Sequence, residues 1–353
     1  MATEKFAPGA ARRLNPLDHP NWDALLTSRP DFSFFHGMAW ARVLADTYGF
    51  APHYFFTGDA DTPASVLPLM EADSWLTGRR GIALPFTDEC APLGADKTVF
   101  GKLFADAVAF GKSRGWKYIE LRGGRKFFDA EIPASVSFYG HSVDLTGGEK
   151  LLFEKMDGSV RRAVRKAEKD GVTVEVSQSL DAMKVFYKLQ CLTRKRHGLP
   201  PQPFQFFVNI HRHILSQNLG MIAVASHAGR PIAASVYFYL GGRAIYKYGA
   251  SDFAQQHLRG SNLVMWEAVK WLARNGAVNL DLGKSSVANE GLRRFKLNLG
   301  AQEKTVEYVK FDLREDRFVT ETDGVEGWHN AVFRAMPVFM SRAAGGLLYR
   351  HWA

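Results

Sequence analysis

The chain has 353 residues, 46% of them hydrophobic and 13% aromatic, which is enough for two folded cores and excludes a disordered or fibrous protein. A formal net charge of +9 and a pI near 9.4 direct it towards anionic partners: phosphate-bearing small molecules, nucleic acid or an acidic membrane surface. Two cysteines far apart, Cys90 and Cys191, exclude a disulfide framework and a Cys-x-x-Cys metal site, and no metal-ligand constellation is read elsewhere.

The first residues, Met1–Pro8, lack the apolar core of a secretory signal, and no uncharged apolar run approaches the roughly 18 residues of a spanning helix. The expected location is therefore the cytosol. Helices are expected at Asn21–Leu26 and His36–Tyr48, the second stopped by Gly49. Strands His53–Thr57 and Ala64–Met70, joined by the turn-rich Gly58–Pro63, fit a hairpin. A strand Arg80–Pro85 leads into the loop Phe86–Gly94, where Asp88 and Glu89 offer carboxylates. A helix Thr98–Arg114 then ends at Gly115, and a strand Lys117–Arg122 follows. The small polar run Thr146–Gly148 marks a boundary, giving domains 1–147 and 148–322 and a C-terminal helical tail 323–353.

Ser159–Lys169 concentrates positive charge. Arg161, Arg162, Arg165, Lys166 and Lys169 face a single Glu168, while Val160, Ala163, Val164 and Ala167 form an apolar stripe at i, i+3, i+4 and i+7. One face packs; the other is either an ordinary solvated surface or an anion-binding one. A second run, Arg194-Lys195-Arg196-His197, ends another expected helix at a rigid corner of Gly198 and three prolines. Arg161, Arg165, Lys166, Arg194, Arg196 and His197 are the candidates for holding phosphates. Cys191 lies near His197 in sequence but reads as a small buried thiol, since no residue is identifiable to orient a catalytic pair.

The second half repeats the order of the first: strands Met221–Ala225, Ile232–Tyr239 and Arg243–Gly249, a helix Ser261–Arg274, Gly276, and a strand Val278–Leu282. Superposing Gly276 on Gly115, an offset of 161, sets Trp271 on Phe110 and Leu280-Asp281-Leu282 on Ile119-Glu120-Leu121. The fold class is α/β (α+β), with one architecture duplicated in tandem. In the loop Asp252–Asn262, Gly260 permits close backbone approach, Ser261 or Asn262 is expected to cap the helix, and Arg259 completes an anion site. The matching stretch Cys90–Thr98 has no arginine, so the second domain reads as the donor side and the first as the acceptor side. Asp281–Gly300 carries Lys284, Glu290, Arg293, Arg294 and Lys296 around Leu292, Phe295 and Leu297; a lysine anchored this way suits an oxyanion or a phosphate. Arg294, and Tyr248 on the strand before the loop, join Arg259 and Asn262 as substrate-binding candidates. In the tail, Arg334, Arg342 and Arg350 interrupt bulky apolar residues, which fits a helix docked on the body or one lying on a membrane surface.

Several of these stretches resemble the FemAB-type peptidoglycan-bridge aminoacyltransferases and the related branch of the GNAT acyltransferases. They are Ser33-Phe-Phe-His-Gly-Met-Ala-Trp40, Leu84-Pro-Phe-Thr-Asp88, Val160–Val172, Thr193–Pro203, Asp281-Leu-Gly and Arg294-Phe-Lys-Leu-Asn-Leu-Gly300, and they span most of the chain. The tail resembles the branch found with exopolysaccharide and protein-sorting systems. The resemblance implies tandem GNAT-like domains and transfer from an activated ester or thioester to an amine. It makes Lys296 the stabiliser of the tetrahedral intermediate. Asp88 or Asp281 is the expected acceptor of the amine proton. No tightly bound cofactor is expected; acyl-CoA or aminoacyl-tRNA serves as donor co-substrate, and a cell-envelope precursor, of peptidoglycan or exopolysaccharide, as acceptor. The chain lacks the coiled-coil arm some members use with tRNA, and Arg259-Gly-Ser-Asn262 is a degenerate form of the pyrophosphate loop of acyl-CoA-dependent members, so the donor, acyl-CoA or charged tRNA, stays open. Peripheral contact with the inner face of the cytoplasmic membrane belongs to the same expectation. The rival reading is a non-catalytic binder of RNA or membrane surface on the same fold; a protein-interaction scaffold is a third.

Overall fold

The computed structural model describes residues 12–321 and 328–352. Contacts divide them into two units: one holds the described residues up to Phe138 with those of Thr305–Asp323 and Arg350–Ala353, the other Tyr139–Lys304 with those of Gly324–Tyr349.

The first unit opens with β1 (Arg13–Leu14), α1 (Trp22–Thr27) and α2 (Met38–Tyr48), which Gly49 ends in the left-handed region at φ 72°. β2 (Ala51–Gly58) and β3 (Pro63–Ala72) form the expected antiparallel hairpin. β4 is shorter than expected, Arg80–Ile82, because Leu84 and Phe86 take positive φ of 47° and 61° and turn the chain out of the sheet. The helix α3 (Lys97–Arg114) starts where the Asp96 carboxylate accepts from Val99 N at 2.8 Å and stops at Gly115, φ 70°. It lays Phe100, Leu103, Phe104 and Ala107 on Phe55, Leu67 and Leu69, and on Ile119 and Leu121 of β5 (Tyr118–Arg122). β4 and β5 are parallel, Gly81 opposite Ile119. Glu71, buried at the end of β3, takes a bidentate bond from Arg114 and one from Trp116 Nε1 at 2.6 Å, tying helix to sheet.

The chain continues through β6 (Val136–Asp144), α4 (Gly148–Lys155) and α5 (Gly158–Lys169), then β7 (Thr173–Ser177), α6 (Leu180–Arg196) and α7 (Phe204–His213). β8 (Gly220–His227), β9 (Arg230–Leu240) and β10 (Arg243–Ser251) form an antiparallel meander, with β7 on its outer side. α8 (Gly260–Arg274) leads to β11 (Asn279–Ser286), which pairs parallel to β10, Ile245 opposite Asp281. α9 (Glu290–Leu297) precedes β12 (Gln302–Asp312), whose later residues pair with β5 in the first unit, as does β13 (Arg317–Val319) with β12. α10 (Trp328–Ala335) and α11 (Val338–Leu348) form the expected helical tail.

The duplication is visible in the topology of each unit. Strand, helix and parallel strand recur as β4–α3–β5 and β10–α8–β11, and the offset of 161 carries Tyr118 onto Asn279, the first residues of β5 and β11. Gly276, like Gly115, is left-handed, at φ 85°. Cys90 and Cys191 are both buried thiols.

Candidate functional site

Three helices of the second unit converge on one cleft of about 390 Å³. α5 contributes Ser159, Arg162 and Lys166; the start of α8 contributes Arg259 and Asn262; Phe295 and Asn298 close it from the end of α9. The arrangement follows from local chemistry. The Asp157 side chain accepts from Ser159 N at 2.8 Å and starts α5, and the Asp157 N–H donates to the Asn298 carbonyl at 2.8 Å, fixing α5 against α9. The apolar stripe does pack: Val160, Val164 and Ala167 are buried with Val264 and Ala268 of α8 in one core.

The α8 terminus differs from expectation. Neither Ser261 nor Asn262 caps it; Arg259 occupies the cap position in the left-handed region at φ 58°, and no side chain accepts from the first turn. The first turn therefore lacks the side-chain acceptor that a serine or asparagine cap would supply, while the N–H groups of Asn262 and Leu263 donate to the Arg259 carbonyl at 3.0 and 3.3 Å. Gly260 has its position for a packing reason, since a Cβ there would stand 2.8 Å from Ile232 Cδ1. Three cations line the cleft and no carboxylate does, although Lys166 also pairs with Asp170 at 2.5 Å.

The structure brings together Lys166, Arg259 and Asn262 of the sequence candidates. Arg162 joins them; spacing from Lys166 by three, four and seven residues sets Ala163, Arg162 and Ser159 on one helix face with it. Arg165 points elsewhere, its guanidinium 5.6 Å from the Phe153 ring, and Arg161 is half-buried with its Nε sealed and unpartnered. The second basic run does not line the cleft. Arg194 donates to the Pro200 carbonyl at 3.2 Å and to the Tyr349 hydroxyl at 2.5 Å, and Arg196 covers the Phe253 ring at 4.8 Å beside exposed His197. Tyr248, just after a bulge in β10, packs with Phe186, Phe206 and Phe207. Arg294 is exposed on α9.

Lys296 is buried, 3% exposed, and its Nζ donates to the carbonyls of Gly283 and Lys284, each at 2.9 Å. Asp281 accepts from Gly283 N at 2.7 Å, shaping the turn at Gly283 that presents one of these carbonyls. Gly300 of the Phe-Lys-x-x-x-Gly stretch is left-handed at φ 80°, and a Cβ there would stand 3.0 Å from the Lys155 carbonyl oxygen. One turn before Lys296, Arg293 grips Glu303 with two bonds of 2.7 and 2.8 Å and lies 4.2 Å from the Tyr139 ring. Glu303 also accepts from His141 Nε2 at 3.0 Å. Burial, reinforced by the Lys296 charge, pushes the His141 imidazole below its ordinary pKa, and the Arg293 bond holds the Glu303 carboxyl below its own. Neutral His141 then bonds Glu303 through Nε2–H and leaves Nδ1 sealed without a partner; Ser285 Oγ on β11 is likewise sealed. His141 and Glu303 lie 162 residues apart, so no local spacing announces them. Asp88 belongs to the first unit, where its carbonyl accepts from the Tyr308 hydroxyl at 2.7 Å.

Residues 154–297, from α4 to the last residue of α9, match the model of the acetyltransferase (GNAT) domain. That stretch of the second unit is similar to a GNAT domain. That span includes every lining residue of the cleft except Asn298. The chain is also similar in structure to FemX, at 14% identity over 85% of this chain and 97% of that one, with a TM-score of 0.66. It resembles the C-terminal domain of a putative lysylphosphatidylglycerol synthetase from Agrobacterium fabrum, at 17% identity over 94% and 98% of the two chains and a TM-score of 0.55. A tandem GNAT protein from the clavulanic acid biosynthesis pathway matches at 10% identity over 85% and 97%, with a TM-score of 0.50. At these identities the likeness is one of fold. No curated protein matches the sequence significantly. Among the described residues, no group of three or more His, Cys, Asp or Glu is placed to hold a metal, and no helix is long and apolar enough to cross a membrane.

Proposed function

We propose that this chain transfers an acyl or aminoacyl group from a phosphate-bearing donor to an amine of a cell-envelope precursor, in peptidoglycan or exopolysaccharide assembly, at the inner face of the cytoplasmic membrane. The observation that carries the donor half is the cleft: Arg162, Lys166 and Arg259 surround the uncapped start of a fifteen-residue helix, with no carboxylate in the lining. Such a site offers charge-assisted bonds and oriented N–H groups to phosphate oxygens. The cleft accepts phosphates from acyl-CoA or from the end of an aminoacyl-tRNA. FemX and the lysylphosphatidylglycerol synthetase domain support the envelope setting by their fold and names.

In the reaction the amine attacks the donor's ester or thioester carbonyl, negative charge develops on the carbonyl oxygen, and the thiol or ribose hydroxyl leaves as the amine's proton is lost. Binding and positioning supply much of the acceleration, because the donor is already activated. Lys296 stabilises the developing charge from a buried position at the end of β11, where charge acts through little water. Asp281 positions it through the Gly283 turn. The amine proton passes to the leaving sulfur or ribose oxygen.

Direct titration of the purified protein with acyl-CoA and with charged tRNA, at two salt concentrations, tests this reading. Saturable binding to one of them that weakens in Arg259→Ala supports it and names the donor. Binding to neither moves the chain to the non-catalytic reading.

A further inference from the structure

The tail helix α11 has two faces of different chemistry. Its inner face docks on the body of the second unit: Ser341 and Gly345 are buried, a Cβ at Gly345 would stand 1.9 Å from the Pro201 carbonyl oxygen, and Arg342 reaches over the Tyr187 ring at 5.3 Å. The outer face does not dock there. Phe339 is 72% exposed and Leu347 75%, with Met340 and Ala343 exposed between them. Positions 339, 343 and 347 repeat every four residues, so they form one stripe along the helix.

Charge decides what such a stripe fits. Residues 328–352 contain three arginines, Arg334, Arg342 and Arg350, and no aspartate or glutamate. A second copy docking the same face about a two-fold axis would set this cationic tail against itself. We infer that the outer face of α11 docks on an anionic lipid bilayer, Phe339, Met340 and Leu347 entering the acyl boundary and exposed Arg334 of α10 meeting lipid phosphates. The helix lies in the interface plane and does not span it. This gives a surface to the membrane setting proposed above and rests on that setting. It is tested apart from the chemistry, because vesicle binding reads the tail and donor binding reads the cleft.

The full chain is co-sedimented with phosphatidylglycerol vesicles and, separately, with phosphatidylcholine vesicles. Binding is expected to the first, weakening with salt, and little to the second. The double variant Phe339→Asp/Leu347→Asp is expected to lower vesicle affinity by about tenfold or more, with donor binding unchanged. Arg334→Glu, on an exposed side chain outside the docked face, supplies a second variant with the same expected direction if the double variant melts early. Failure to bind phosphatidylglycerol, equal binding to phosphatidylcholine, or unaltered binding by both variants overturns the inference. So does a wild-type dimer in light scattering that the double variant splits, which assigns the face to a second copy.

Discussion

Lys296 and Gly283 are joined across the end of β11: the ammonium donates to the glycine carbonyl at 2.9 Å, and the same glycine's N–H is held by Asp281 at 2.7 Å. Lysine, turn and aspartate therefore form one mechanical unit. Lys296→Ala leaves two carbonyls without that donor, which costs about 1–3 kcal/mol of stability for a buried group. Transfer is expected to fall by about 10²–10³-fold, the scale of losing one preorganised oxyanion donor. Donor affinity at the cleft should hold. Turnover, donor titration and thermal melting of the one variant separate the effects; a parallel loss of donor affinity and turnover makes Lys296 an anchor only.

Arg162→Ala and Arg259→Ala are each expected to weaken donor binding by about tenfold, the worth of a charge-assisted bond to phosphate. The salt dependence should become shallower in both, because fewer ion contacts remain. Arg194→Ala should leave donor affinity unaltered, since its partners are Pro200 and Tyr349. Isothermal titration of the three variants at low and high salt checks this.

Stability should decline in mild acid. His36 is buried, accepts from Ser33 N at Nδ1 (2.9 Å) and reaches the Ala91 carbonyl through Nε2 (2.8 Å), so the folded protein holds it neutral. Burial lowers its pKa below the ordinary 6.5, and it lowers those of His53 and His141 too. The unfolded chain therefore binds protons at a higher pH than the folded one. The stabilisation is complete above pH 6.5 and is lost as pH falls through the folded values. Thermal melting as a function of pH should be flat in mild alkali and drop below neutrality, with a weaker drop in His36→Asn. A melting temperature that rises on acidification contradicts this.

Gly198 and Gly345 are the contact points of the tail. Gly198 is left-handed at φ 69°, and a Cβ on it would stand 2.3 Å from the Asn330 carbonyl oxygen. Gly198→Ala or Gly345→Ala forces backbone apart, with an expected cost of about 1–3 kcal/mol. Limited proteolysis should then release the tail from each variant sooner than from the wild type.

Much of this arrangement was legible in the residues. Glycine stops after amphipathic helices placed the ends of α2, α3 and α8 to within a residue or two, and the offset of 161 found the repeated helix–strand pair. What failed had local causes. Ser261 and Asn262 look like caps, but backbone strain at Arg259 moved the helix start ahead of them. The strands β6 and β12 are hard to read because Gly140 and His141 interrupt the apolar residues of one and charged residues fill the first half of the other, so neither alternates cleanly. The second basic run read as a phosphate clamp because its charge was visible and its partner, Tyr349, lay 155 residues away. Spacing finds residues that share a helix face, as with Ser159, Arg162 and Lys166. It cannot find a pair such as His141 and Glu303, which only the folded chain brings together.

Both native thiols lie beneath the surface, Cys90 at 1% and Cys191 at 5% exposure, and burial raises the pKa of each, so neither offers an accessible thiolate to a mild alkylating reagent at neutral pH. The native chain is thus spectroscopically silent towards thiol-directed probes. A single cysteine introduced at a solvent-facing position of α11, such as Ala343, would carry the entire label, so its mobility and its depth relative to a lipid headgroup can be followed in an otherwise unmodified protein.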